Sequence, residues 1–525
     1  MGGLELIVVL GVTVLIGTTL GGRYSVAPPV LLITLGALIG LVPPFDHVVL
    51  EPQVVLLLFL PAILYRESLV VSLREIRANF LVIALLAVAL VVLTMVAVAY
   101  AARLLGVDPA AAWVLGAVLA PTDAAAVAGL AKRMPRNILT TLRAESLIND
   151  GTALALFAVA VAVIAGGHFP GPAGLAGRFL GSAGGGIVAG LLVAGVVVVI
   201  RRRLDDPLRE TGLSLLTPFA AFLLAESVHA SGVLAVVVAG LLLSYAAPWL
   251  IRARTRVTTL AVWDVSTFMI NGGLFVLLGT QVPRSLRAIT SHSPMESLGI
   301  AAAVAAVVVV VRMGWVHLAI AALQGVDRRE SRRERRFNAR VRTAMGWAGF
   351  RGAVSLAAAL AVPATTTAGT PVHERDLIIF VTVTVIVLTM LIQGTTLPAL
   401  VTWARLTGDR ARDEELRSAR IRATQAGLAA LPQLAAELGA PSDTVDRLRA
   451  DYEETLADVR ADDQGGGTAE EREIGRQLRL AVLDHKRREV TRLRDTRAID
   501  DAVLRDVQAA LDIEELRLLG PTTEE

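Results

Sequence analysis

Apolar residues run along this chain in long blocks from Leu4 to about Leu400 and then stop. About thirteen blocks approach the ~20 residues that an α-helix needs to cross a hydrocarbon core of ~30 Å. They fall at 4–21, 27–43, 47–65, 79–102, 109–131, 139–166, 178–200, 211–227, 231–247, 258–280, 297–324, 342–363 and 376–400. Residues 405–525 contain no such block and are rich in Arg, Asp and Glu. The pattern predicts an all-α polytopic membrane protein, with a transmembrane domain over 1–404 and a helical tail over 405–525. The first block begins at Leu4 with no Lys or Arg before it and no small-residue cleavage site. It is therefore expected to be a retained span rather than a signal peptide.

Two blocks are interrupted near their centres. In the fifth, Ala120-Pro121-Thr122-Asp123 brings a proline that lacks a backbone donor and clashes with the carbonyl four residues back. Thr122 and Asp123 are N-cap residue types. Two half-helices are expected to meet there, with Asp123 at the positive end of the second. In the twelfth, Gly346, Gly349 and Gly352 surround Arg351. Interrupted helices at matching positions of two halves point to a transporter's binding site. The two blocks match if spans 1–6 and 8–13 are repeats of opposite topology about a linking span. That inverted repeat is inferred from span order.

Basic residues gather in the loops after odd-numbered spans: Arg66, Arg74 and Arg77, then Lys132, Arg133 and Arg136, then Arg201 to Arg203, then Arg252, Arg254 and Arg256, then the run from Arg328 to Arg340. The alternate loops are nearly bare. The positive-inside rule puts the N-terminus outside and the tail in the cytoplasm of a cell that carries the protein in its plasma membrane. The 328–340 run reads first as a topology signal and second as a site for anionic lipid. In the tail, helices are expected from Ala411 to about Ala436 with an interruption near Pro432, from Asp443 to Asp462, after a capping box at Thr468–Glu471, and along Ile499, Val503, Val507 and Leu511.

Charge inside the spans carries the chemistry, because an ionisable group at membrane depth costs several kcal/mol. The sixth span contains A-E-S-L-I-N-D-G-T-A-L at 144–154. Helical spacing puts Ser146 and Asp150 on one face, and Glu145 and Asn149 on the next. With Asp123 and Arg351, four ionisable groups lie near span centres. A buried arginine without a partner is costly and cannot neutralise itself. Arg351 is thus expected to pair with Glu145 and fix the crossing helices. Asp123 can be held by the half-helix N-terminus. Asp150 then has no fixed partner and must be neutralised by a proton or a cation. A hard monovalent cation takes oxygen ligands, which Asp150, Ser146, Asp123 and the carbonyl freed at Thr122 can supply. Proton and cation would compete for one site, which suffices for one-for-one exchange if the site faces each side in turn. A purely structural Asp150 is the bland alternative, and an unpaired midplane acid is an expensive way to make one hydrogen bond. Ser355 is expected to be a packing residue, Asn271 an interhelical hydrogen bond, and Asp264 solvated. His229, His292, His317 and His373 lack metal-ligand spacing and are expected at surfaces or in packing.

Composition narrows the alternatives. The 525 residues are 54% apolar and 18% charged, with a net charge of +3 and no cysteine. That excludes disulfides, thiolate metal sites and a cysteine nucleophile. The arginine clusters flank apolar helices, so nucleic-acid binding has no support. No G-x-x-x-x-G-K-[ST] motif is present to drive a pump. An intramembrane aspartyl protease would need G-x-G-D around Asp123 or Asp150, and both lack it. A cation channel or membrane sensor would have no need of a buried arginine and two broken helices. No cofactor is expected beyond the transported ions.

These residues resemble the signature segments of the NhaP-type, sodium/proton-exchanger branch of the monovalent cation/proton antiporters. The likeness lies in P-T-D-A at 121–124, E-S-L-I-N-D-G-T-A at 145–153 and G-F-R-G-A-V-S-L-A at 349–357, supported by L-F-L-P-A-I-L-Y at 58–65 and S-G-V-L-A-V-V-V-A-G at 231–240. The resemblance covers most of 1–404 and not the tail. It implies a thirteen-helix homodimer in which a core domain (79–166 and 297–400) moves against a dimerisation domain (4–65 and 178–280). It implies sodium or lithium exchange for protons, with Asp150 binding the proton or cation and Asp123, Thr122 and Ser146 as cation ligands. Glu145 matches the partner of the span-twelve arginine, Arg351. Asn149 stands where the electrogenic branch has a second Asp, which implies electroneutral exchange. Potassium/proton exchange on the same scaffold is the near alternative. The tail is expected to be regulatory, with no ligand or partner specified.

Overall fold

A computed structural model describes residues 3–24, 27–43, 52–123, 134–167, 171–326, 338–406, 410–464, 469–496 and 501–519. Regular structure among them is helical, apart from one isolated antiparallel bridge between Thr365 and Pro371. The chain divides into two compact units, Met1–Gly408 and Asp409–Glu525.

The first unit begins with α1 (Gly3–Tyr24), α2 (Pro28–Ile39), α3 (Pro52–Val70), the short α4 (Leu73–Ala78) and α5 (Phe80–Leu104). Next come α6 (Pro109–Leu119), α7 (Arg136–Ile164), α8 (Gly171–Arg201), α9 (Pro207–Ser227) and α10 (Gly232–Leu250). It closes with α11 (Ala253–Ala288), α12 (Pro294–Val326), α13 (Ala339–Trp347), α14 (Ala353–Leu360) and α15 (Arg375–Trp403). Among the described residues, ten of these helices are long and apolar enough to cross a membrane, and α2 and α6 are shorter apolar helices. The fifth expected span ends its first half at Leu119; its second half, 124–131, lies outside the described residues. The twelfth is split, with non-helical backbone between α13 and α14. The arginine run at 328–337 also lies outside the described residues.

Local sequence explains where the helices start. Asp108 caps α6 by accepting the N–H groups of Ala110 and Ala111, and Pro109 fills the first helical position. Ser72, Asp206, Ser231 and Asn338 cap α4, α9, α10 and α13 in the same way. Two helices contain a π turn, Val55–Phe59 in α3 and Leu85–Ala89 in α5. Glycine lets helices meet closely. Gly36 of α2 and Gly279 of α11 each face the other helix where a Cβ would overlap its backbone. Such contacts matter in lipid, where no hydrophobic drive brings helices together. Leu4, Val188, Leu192, Val310 and Leu318 are exposed on the outside of the bundle, as lipid-facing positions require.

Polar residues tie the loops at one end. Asp376 accepts the N–H groups of Thr290 and Ser291 at 2.7 and 2.9 Å. Glu374 accepts the Asp108 N–H at 2.8 Å and meets His292 Nε2 at 3.0 Å. His292 is thus part of a network rather than a plain surface residue. Asp264, expected to be solvated, is half-exposed and also bonds Arg66 at 2.6 Å.

The second unit consists of α16 (Arg410–Leu438), α17 (Ser442–Gln464), α18 (Ala469–Asp495) and α19 (Asp501–Leu519). α16 packs on α17 and α18 on α19. Arg487 pairs with Asp512 and Glu515, and Lys486 with Glu514, across the second hairpin. Pro432 does not interrupt α16 as expected. It removes one bond from a 29-residue ladder, and burial of Leu431 offsets that local loss. Thr468 and Ile499 lie outside the described residues.

Candidate functional site

The two broken stretches meet. After α6 ends, the backbone N–H of Asp123 donates to the carbonyl of Phe350 at 2.8 Å. The last turn of a helix leaves its carbonyls without intrahelical donors. Arg351, 1% exposed, supplies one at the end of α6, where Nε donates to Leu119 O at 3.1 Å, and its Nη1 donates to Gly349 O in the break between α13 and α14. A guanidinium among carbonyls at a helix C-terminus also meets the negative end of the helix dipole.

Glu145 does not take Arg351 as its direct partner. It makes a two-pronged pair with Arg312 of α12, Nη1 to Oε1 and Nη2 to Oε2, the latter at 3.1 Å. Both side chains are 1% exposed. Arg312 Nη2 also donates to Met345 O at 3.3 Å. Both arginines lie close enough to feel the same carboxylate, but the turn at 349–352 aims the Arg351 donors at backbone. Arg312 was missed in the sequence because it follows five valines, Val307 to Val311, whose hydropathy hides a single charge. Its position at the centre of an expected span was the available signal.

Thr122 joins the pieces. Its hydroxyl donates to Glu145 Oε1 at 3.2 Å and accepts from Asn149 Nδ2 at 2.8 Å. Its carbonyl accepts from Ser146 Oγ at 3.0 Å. Asn149 therefore orients Thr122, and Thr122 orients both Glu145 and Ser146. Asp150 is 5% exposed, and no hydrogen bond or ion pair reaches its carboxylate among the described residues.

Asp150, Asp123, Ser146 and Thr122 line one cavity of about 50 Å³. That is room for one or two water-sized species. Its walls come from α3, the 121–123 break, α7, α11 and the start of α14. Ser355 and Asn271 also face it, so Asn271 lies on a cavity wall rather than in an interhelical bond among the described residues. Glu67 of α3 and Arg143 of α7, neither singled out from sequence, line it too.

Gly352 is required by the Asp123 carboxylate, which occupies the place where a Cβ would stand. Gly352→Ala is expected to push Asp123 out of position and cost about 3 kcal/mol or more, beyond the usual overpacking penalty. A lowered melting temperature with loss of exchange is the expected outcome. An unchanged melting temperature would contradict it.

Comparisons with known proteins agree on one family. The family model described as sodium/hydrogen exchanger, transmembrane, matches residues 11–403. The chain belongs to the sodium/hydrogen exchanger family. An uncharacterized Na(+)/H(+) exchanger of Mycobacterium bovis is 53% identical over 529 residues, covering 100% of this chain and 97% of that protein. A sodium, potassium, lithium and rubidium/H(+) antiporter of Bacillus pumilus is 30% identical, over 71% of this chain and 57% of that protein. The solved sodium proton antiporter MjNhaP1 of Methanocaldococcus jannaschii aligns with a TM-score of 0.58 at 21% identity, over 76% of this chain and 98% of that one. That likeness carries the fold. A sodium/hydrogen exchanger is an integral membrane transporter rather than an enzyme.

Proposed function

We propose that the chain is an electroneutral antiporter that moves one Na+ (or Li+) across the membrane for each proton returned, both bound in turn at Asp150. The observation that carries this is the contrast between two acids five residues apart on α7. Glu145 is fully engaged by Arg312, while Asp150 opens on the cavity with no described partner. Counting the ionisable groups near the span centres, Arg312 and Arg351 face Glu145, Asp123 and Asp150, which leaves one negative charge. One proton or one monovalent cation cancels it, so either form of the loaded site carries the same charge. Asn149, neutral where a second acid would stand, keeps that count.

In this reading Asp150, Asp123, Ser146 and Thr122 supply oxygens to the cation. Arg312, Arg351 and Glu145 hold the two broken stretches against α7. The site alternates by movement of a core (79–166 and 297–400) against a dimerisation domain within a homodimer in the plasma membrane, N-terminus outside. The service to the cell is pH and sodium homeostasis, and the 405–525 unit regulates it. A second reading, potassium/proton exchange, is favoured by the Bacillus pumilus relative, whose name includes potassium.

Proton flux reported by a pH dye in proteoliposomes tests both. Sodium or lithium gradients are expected to drive flux whose rate is unaffected by an imposed membrane potential. Voltage-dependent steady flux would sink one-for-one exchange. Flux with potassium alone would select the second reading.

A further inference from the structure

On α7, Arg143, Ser146 and Asp150 follow at spacings of three and four, so they share one face. Arg143 lies two turns from Asp150, about 10 Å along the axis. Across the cavity, Glu67 reaches it from α3, Nε to Oε2 at 3.5 Å, with the two side chains 24% and 21% exposed. Arg66, beside Glu67 in sequence, turns away to Asp264. The pair therefore joins two walls of the cavity that contains Asp123 and Asp150.

We infer that Arg143 and Glu67 form a charge-compensated gate at the mouth of the cation path. Arg143 cannot shed its charge. Alone, at about 10 Å in an effective dielectric of ~20, it would weaken cation binding at Asp150 roughly tenfold. Glu67 cancels that field and ties α7 to α3. This rests on the antiport reading above, in which α7 belongs to the moving core and α3 to the dimerisation domain. Movement of α7 must then part the pair, so the pair marks the arrangement in which the cavity lies between these two walls.

The test is the KM for Na+ of the full-length protein in proteoliposomes. Glu67→Gln is expected to raise KM about tenfold, by leaving Arg143 without its counter-charge. Arg143→Gln is expected to lower KM several-fold, by leaving the Glu67 carboxylate uncompensated beside the cavity. The double variant is expected to return KM close to the parent, and Glu67→Asp to keep it there. Should Glu67→Gln not insert, Arg143→Gln and the double variant still decide the matter. A pair that is only structural would lower melting temperature and active yield with KM unchanged in all variants, which overturns the gate. A raised KM in Arg143→Gln overturns it as well. Absence of cation-driven flux in the parent protein would instead be a failure of the antiport reading, and the two failures are separate outcomes of one experiment.

Discussion

Removal of Arg312 is expected to destabilise the protein by about 3–5 kcal/mol, because it strands Glu145 as a buried charge. Arg312→Ala should melt well below the parent in detergent, and Glu145→Gln introduced beside it should recover part of the loss. The pair is bidentate and 1% exposed on both sides, so little water is available to replace the missing partner. Arg351→Ala is expected to cost less, since the carbonyls it serves are neutral. An Arg312→Ala protein that melts with the parent would mean that Glu145 is neutral or finds another donor. In that event the charge count at the midplane would need revision.

Replacing Asp150 is expected to do the reverse: to abolish exchange with little effect on folding. Asp150→Asn keeps the volume but loses the charge on which proton and cation compete. A loss of about 3 kcal/mol in cation binding is already ~100-fold. Exchange at the original rate would refute the assignment of Asp150. Its melting temperature is expected to stay at or above the parent value, because an uncharged amide is easier to bury than an acid with no described partner. Together the two variants separate the holding role of Glu145 and Arg312 from the exchanging role of Asp150, though these groups lie within one small region.

Much of this was readable from residue order. Pro121 announced its break, because a proline deep in an apolar run leaves a helix few options. The face shared by Ser146 and Asp150 followed from helical spacing, and both residues do line one cavity. The partner of Glu145 was not readable. Two arginines, Arg312 and Arg351, stand within its electrostatic reach, and the choice depends on where the 349–352 backbone points its donors. Window hydropathy then worked against recognition of Arg312, since five valines outweigh one guanidinium. Glu67 and Arg143 escaped notice for another reason. Each lies toward a span end, where a charge is cheap and uninformative, and only the folded chain brings them to the same cavity. Pro432 in the tail misled in the opposite direction, because one lost backbone bond does not stop a helix that is packed on a neighbour.

The π turn at Val55–Phe59 gives the third span a particular phase. A π turn holds one residue more than the α-helix it interrupts, and the helix beyond it resumes with its bearing intact. Were the same chain to relax there to α geometry, everything from Leu60 onward would advance by one position, about 100° of rotation. Arg66 would then come round to the bearing now held by Glu67. The sign of the charge presented by α3 to the cavity mouth is therefore set by a backbone hydrogen-bond pattern more than two turns away, as much as by the residue at position 67.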